Sequence, residues 1–212
     1  MKLMLTVPLF FALLALSCTT YTRDSDGTHQ PLSLTLLHLN DTHSNFLSSM
    51  VKVSFPQDSV LYRLPAGSVS RIATVVDSIR GDAENVLFVH AGDMVQGSLF
   101  YTLFGGEADA ALYNAMGLDV MCLGNHEFDR GSEGLRILLE DTEFPIVCAN
   151  IEVTSDSLLA GMILPLTLIE MDGEQVGVIG LVVEDLFNVS SPSAETEILP
   201  KVETAQLLIE QL

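Results

Sequence analysis

Between residues 32 and 151, short apolar runs alternate with segments of helical periodicity, and few folds accommodate that alternation. "LSLTLLHLN" (32–40) reads as a buried strand closed by a helix-unfriendly Asn. "NVLFVHAGD" (85–93), "LDVMCLGN" (118–125) and "FPIVCANI" (144–151) read as three more. Between them, "VSRIATVVDSIRG" places apolar residues at 69, 72, 75, 76 and 79, the spacing of a helix face, with Gly81 as its stop. "EADAALYNAMG" (107–117) and "SEGLRILLED" (132–141) read as two further helices, the second with Ser132 as its N-cap. Such alternation calls for an α/β fold with a largely parallel sheet, because parallel neighbours need a crossover long enough to hold a helix. Further on the pattern changes. Two apolar runs, 162–171 and 174–183, are joined by Asp172-Gly173, a two-residue hairpin signal, and a helix over 201–212 follows.

In parallel sheets, sites gather at the carboxyl ends of strands. Three strand ends here carry polar clusters: "NDTHS" (40–44), "AGDMVQG" (91–97) and "GNHEFD" (124–129). Singly, each is a turn or cap signature, because Asn, Asp and Gly satisfy or relax local backbone. Together they bring Asp41, His43, Asp93, Asn125, His126 and Asp129 to one edge of the sheet. Carboxylate oxygens, imidazole nitrogens and an amide oxygen suit a divalent ion such as Zn²⁺ or Mn²⁺, and an Asp between two ions can bridge them. Charge points the same way. A net charge of −19 excludes a nucleic-acid polymer as partner, since that affinity rests on Lys and Arg. Beyond Ile151 the one basic residue is Lys201, so positive charge against a small phosphate ester has to come from a bound ion.

In this order and with helix-sized gaps, "NDTH", "AGD" and "GNHEFD" resemble the calcineurin-like metallophosphoesterases, specifically the 5′-nucleotidase branch. The framing stretches "LLHLNDTHSNF", "LYNAMGLDVMCLGNHEFDRG" and "VGVIGLV" resemble the same branch, over residues 34–212. The resemblance implies an αββα sandwich with a mixed, largely parallel sheet, two divalent metal ions, and hydrolysis of phosphate monoesters such as nucleoside 5′-phosphates. By position, Asp41 and His43 would bind the first ion, Asp93 would bridge, and Asn125 would bind the second. His126, oriented by Asp129, would stabilise charge on the phosphoryl group. A 2′,3′-cyclic phosphodiesterase would fit the same scaffold.

The departure from the family is equally specific. The family draws further histidines from an "SH" and a "GH-x-H" segment and continues into a substrate-binding domain, whereas no His follows His126 here. Residues 32–212 are therefore expected to form the N-terminal part of the catalytic domain, an incomplete sandwich. The first ion keeps Asp41, His43 and Asp93, and the second only Asp93 and Asn125, fewer than the three or four ligands usual for zinc. Weak second-site binding, an uncovered apolar side and a need for a C-terminal segment or second chain follow. A non-catalytic truncated surface lipoprotein, or a gene remnant, is the alternative.

At the other end, Leu3–Leu16 is an apolar run behind Lys2, shorter than the ~20 residues of a membrane span, and reads as a signal peptide over 1–17. The "LALSC" that follows resembles a bacterial lipoprotein box with Cys18 as the lipid-bearing residue; cleavage near Ser17 by the ordinary secretory route is the alternative. Residues 18–31 are polar and read as a tether. The expected location is outside the cytoplasm, membrane-anchored through Cys18 or free in the periplasm or medium.

Other residues carry structural readings. Cys122 and Cys148 sit in apolar runs as buried thiols, with a disulfide left open by export. His38 and His90 read as strand histidines satisfied within the fold, and Glu127 as either touching the site or solvated at the strand end.

Overall fold

In a computed structural model, residues 32–57 and 60–212 are described. The expected signal peptide, the tether and Cys18 lie outside the described residues. In chain order the strands and helices are β1 (Thr35–Leu39), β2 (Ser49–Ser54), β3 (Leu61–Ala66), α1 (Val69–Asp82), β4 (Val86–His90), α2 (Leu99–Phe104), α3 (Glu107–Ala115) and β5 (Val120–Cys122). A 3₁₀ turn (His126–Phe128) then leads to α4 (Gly131–Glu140), β6 (Ile146–Val147), β7 (Ile151–Glu152), β8 (Leu166–Met171), β9 (Glu174–Ile179), α5 (Leu186–Val189), β10 (Glu197–Ile198) and α6 (Lys201–Ile209).

The main sheet runs β1-β4-β5-β6, and every pairing in it is parallel. Leu87 and Phe88 of β4 and Val120 and Met121 of β5 are buried, as expected for central strands covered on both faces, and Ile146 of the edge strand β6 is buried too. Phe88, Met121 and Ile146 share a core cluster with Leu135 and Leu138 of α4, Leu159 and Leu186. Arg80 ties the end of α1 to the turn before β5, donating to the carbonyls of Met116 (2.8 Å) and Gly117 (2.5 Å). Asp119 beside it accepts the Phe88 N–H at 2.7 Å. Antiparallel pairing among the described residues is confined to three separate two-stranded pieces: β2-β3, β8-β9 and β7-β10.

The β8-β9 hairpin forms where Asp172-Gly173 predicts it. Both residues have positive φ, 52° and 82°, as a turn matching strand twist requires. Other expectations are corrected. The fourth strand, expected over 144–151, breaks into β6 and β7 because residues 148–150 turn toward the later segment. There Cys148 N–H bonds Leu164 O (2.8 Å), and Ala149 N–H bonds Gly180 O (2.7 Å). The buried Asn150 side chain holds this turn, accepting Val182 N–H at 2.8 Å and donating to Val182 O at 3.0 Å. Ser132 does not cap α4. The helix opens from Arg130, and the Ser132 hydroxyl in its first turn donates to Asp156. Cys122 and Cys148 are free thiols in line with their reading, Cys148 buried and Cys122 half-buried.

Candidate metal centre at three strand ends

The loops after β1, β4 and β5 converge as the alternation requires. Asp41 N–H bonds Gly92 O (3.0 Å), His43 N–H bonds Asp93 O (3.2 Å), and Ser44 N–H bonds Met94 O (2.8 Å), stitching the first loop to the second. The third loop packs against the second so closely that neither tolerates a side chain at the crossing. A Cβ on Gly92 would overlap the backbone of Gly124, and a Cβ on Gly124 would overlap Asp93. The need for glycine at 124 is thus one of space rather than of a left-handed turn, since its φ is not positive.

Glu127 locks the same crossing. Of the two expectations, solvation or contact with the site, solvation is overturned: Glu127 is 1% exposed. Its carboxylate accepts four backbone N–H groups, from Gly124 (2.7 Å), Asp93 (3.0 Å), Met94 (2.7 Å) and Val95 (3.4 Å). Burial raises its pKa to about 7, against the pull of those N–H donors.

On this frame His43, Asp93 and His126 present ligand atoms within 4.8 Å of one another, an arrangement able to hold a metal ion. The Nε2 of His43 is buried without a hydrogen-bond partner, which an ion would satisfy. Asp41 sits at the rim, its carboxylate 3.8 Å from that nitrogen. Asp41, His43 and Asp93 all have left-handed φ, 52°, 48° and 54°, a conformation that costs non-glycine residues energy and recurs at binding sites. The Asp93 carboxylate also accepts the His126 N–H at 2.9 Å. Asn125 begins the 3₁₀ turn, and its carbonyl accepts the Phe128 N–H at 3.1 Å.

His126 meets His43 edge-on, with ring centroids 5.1 Å apart. Its Nδ1 lies 2.7 Å from Asp129 Oδ2, and Ser190 donates to the other Asp129 oxygen at 2.8 Å. Burial alone would depress the imidazole pKa, but the Asp129 bond and the charges of Asp129, Asp93 and Glu127 outweigh it and raise the pKa. His90 is a buried, satisfied histidine as expected, while His38 is exposed. Gln96 and Ser190 lie on either side of Asp129; Gln96 falls within the "AGDMVQG" stretch but is not singled out by the sequence, and Ser190 carries no motif signal.

A parallel α/β sheet carrying an imidazole and carboxylate cluster on its strand-end loops fits the metallophosphoesterase class of fold, and the comparisons with known proteins assign it there. The chain belongs to the calcineurin-like phosphoesterase family, whose model matches residues 34–194. It is 34% identical over 191 residues to the NAD 5′-nucleotidase of Haemophilus influenzae, covering 90% of this chain and 31% of that protein. It is 35% identical over 185 residues to a probable 5′-nucleotidase of Treponema pallidum, covering 87% of this chain and 31% of the relative. Among solved structures, the H. influenzae NAD nucleotidase superposes with a TM-score of 0.81 at 35% identity, covering 87% of this chain and 32% of that one. A 5′-nucleotidase precursor from Thermus thermophilus superposes at 0.78 and 34% identity, covering 84% and 34%. The chain therefore spans about a third of the length of the relatives it matches.

Proposed function

We propose that this chain carries the metal-dependent half of a phosphate-monoester hydrolase site acting on nucleotide-like substrates, nucleoside 5′-phosphates first among them. The observation that carries the reading is the buried, unpartnered Nε2 of His43 facing a carboxylate and a second imidazole. Asp41, His43 and Asp93 would hold one divalent ion, with Asp93 and Asn125 the ligands available to a second. A divalent ion there supplies positive charge against phosphoryl oxygens and acidifies water.

The residues of the chain do the rest. With Nδ1 engaged by Asp129, the other His126 nitrogen is left to donate to a phosphoryl oxygen as charge builds on it. Asp129, held by Ser190, fixes the ring orientation and favours the protonated form. Zn²⁺ and Mn²⁺ both suit this donor set. A second reading, favoured by the inclusion of His126 in the ligand cluster, makes His126 a ligand of a single ion. Export, with lipid attachment at Cys18, completes the proposal and rests on the amino-terminal sequence pattern.

Phosphate release from AMP with added Mn²⁺, by the chain joined to the remaining two-thirds of a related 5′-nucleotidase, tests the reaction. Release that vanishes with a chelator and with Asp93→Asn, and falls at least ~100-fold in His126→Ala, is expected. Release indifferent to chelation, or no release from that joined protein shown to hold Mn²⁺, would contradict it. Loss of bound Mn²⁺ in His126→Ala would favour the ligand role for that residue.

A further inference from the structure

Beneath the Asp41–His43 turn lies a buried polar layer that the chemistry above does not use. Asp41, His43 and Ser44 have φ of 52°, 48° and 49°, and L-residues hold such a conformation only where their surroundings enforce it. The enforcing groups come from β4 and α3. Gly92 N–H donates to Nδ1 of His90 at 3.2 Å, so the neutral ring carries its proton on Nε2 and donates it to Thr42 Oγ1 at 2.9 Å. Burial keeps this imidazole neutral, its pKa pulled down to about 3.

The Tyr113 hydroxyl donates to the same Thr42 oxygen at 3.0 Å, and the hydrogen of Thr42 itself goes to Met94 O at 3.4 Å. Both acceptor positions and the one donor of the hydroxyl are thus used, which leaves it a single orientation. Two residues further on, Ser44 donates to Asp109 Oδ2 at 3.0 Å, with both side chains fully buried. Thr42 and Ser44 alternate with Asp41 and His43, so each candidate ligand is flanked by an anchored hydroxyl.

We propose that His90 and Tyr113, acting through Thr42, and Asp109, acting through Ser44, are positioning residues that hold Asp41 and His43 in the geometry a divalent ion requires. The inference rests on the reading of the site given above. Its test is Mn²⁺ binding to the purified chain, followed by affinity and by the electron paramagnetic resonance line shape of the bound ion, with circular dichroism to confirm folding. Thr42→Val and Tyr113→Phe each delete one hydroxyl at nearly constant shape. Both are expected to raise the Mn²⁺ Kd about 10- to 100-fold and to change the line shape, while Thr42→Ser restores both. Wild-type affinity and line shape in both deletions would overturn the positioning role and leave the site reading intact. Absence of Mn²⁺ binding by the wild-type chain would instead sink the site reading, and this proposal with it. If Thr42→Val does not fold, Tyr113→Phe, which loses a single hydroxyl, decides the question.

Discussion

Asp109 and His126 illustrate how the same fold moves two titratable groups for different reasons. Burial raises the Asp109 pKa from 3.8 to about 7, and one of its oxygens has no partner. The sign of the consequence follows from linkage: a carboxyl with a raised folded-state pKa binds its proton more tightly in the native state. That contribution is fully present below the unfolded pKa and is lost as pH rises through the folded one, by up to ~1.4 kcal/mol per pH unit. Asp109→Asn is therefore expected to flatten the decline in stability between pH 4 and 7, read by urea unfolding at several pH values. Equal slopes for variant and wild type would refute it. Glu127 is shifted in the same direction and acts over the same range, so the variant retains part of the slope. For His126 the dominant raising partner is Asp129, and Asp129→Asn should lower the imidazole pKa in the metal-free chain, measurable by NMR titration. An unchanged midpoint would remove Asp129 from its assigned role.

Between elements, stability concentrates where the loops after β4 and β5 cross. Glu127→Ala would strand four backbone N–H groups, and at ~1–3 kcal/mol for a buried unsatisfied donor the variant should lose at least ~3 kcal/mol. Gly124→Ala should be severely destabilising as well, because the new methyl meets Asp93 rather than open space, whereas Gly81→Ala has no neighbour to strike. Chemical denaturation of the three variants separates these cases. This is also where sequence reading reached its limit. Apolar periodicity located the parallel strands, α1, α3 and α4, because burial on one face leaves a repeat in the sequence. It passed over the β2-β3 ribbon, whose residues are mostly exposed and leave no core pattern, and α2, which is short and whose Ser98 cap carries little signal of its own. The motif residues were legible as a set because three strand ends share one edge. Their supports were not: besides local bonds, Glu127, His90, Tyr113 and Asp109 act through contacts 32 to 71 residues away in sequence, and only the folded chain brings those together.

Across the whole molecule, the acidic charge and an exposed apolar end oppose one another. Leu168 of β8 and Leu207 and Ile209 of α6 are at least half exposed, and α6 buries no residue. Apolar surface of that kind favours association, while a net charge of −19 resists it. Salt screens the repulsion and leaves the apolar attraction, so self-association in sedimentation experiments should strengthen from about 0.05 to 0.5 M salt. Replacing Leu207 and Ile209 together by Gln should abolish it, and association that weakens with salt would contradict this balance. Among the described residues no helix is long and apolar enough to cross a membrane.

The proposed divalent ion would sit between His43 and Asp93, at the meeting point of three strand-end loops. Anomalous diffraction from crystals grown with Mn²⁺ locates it directly. A peak within coordination distance of His43 Nε2 and the Asp93 carboxylate, absent in Asp93→Asn, is the predicted result; an ordered chain with no peak there would contradict the proposed site.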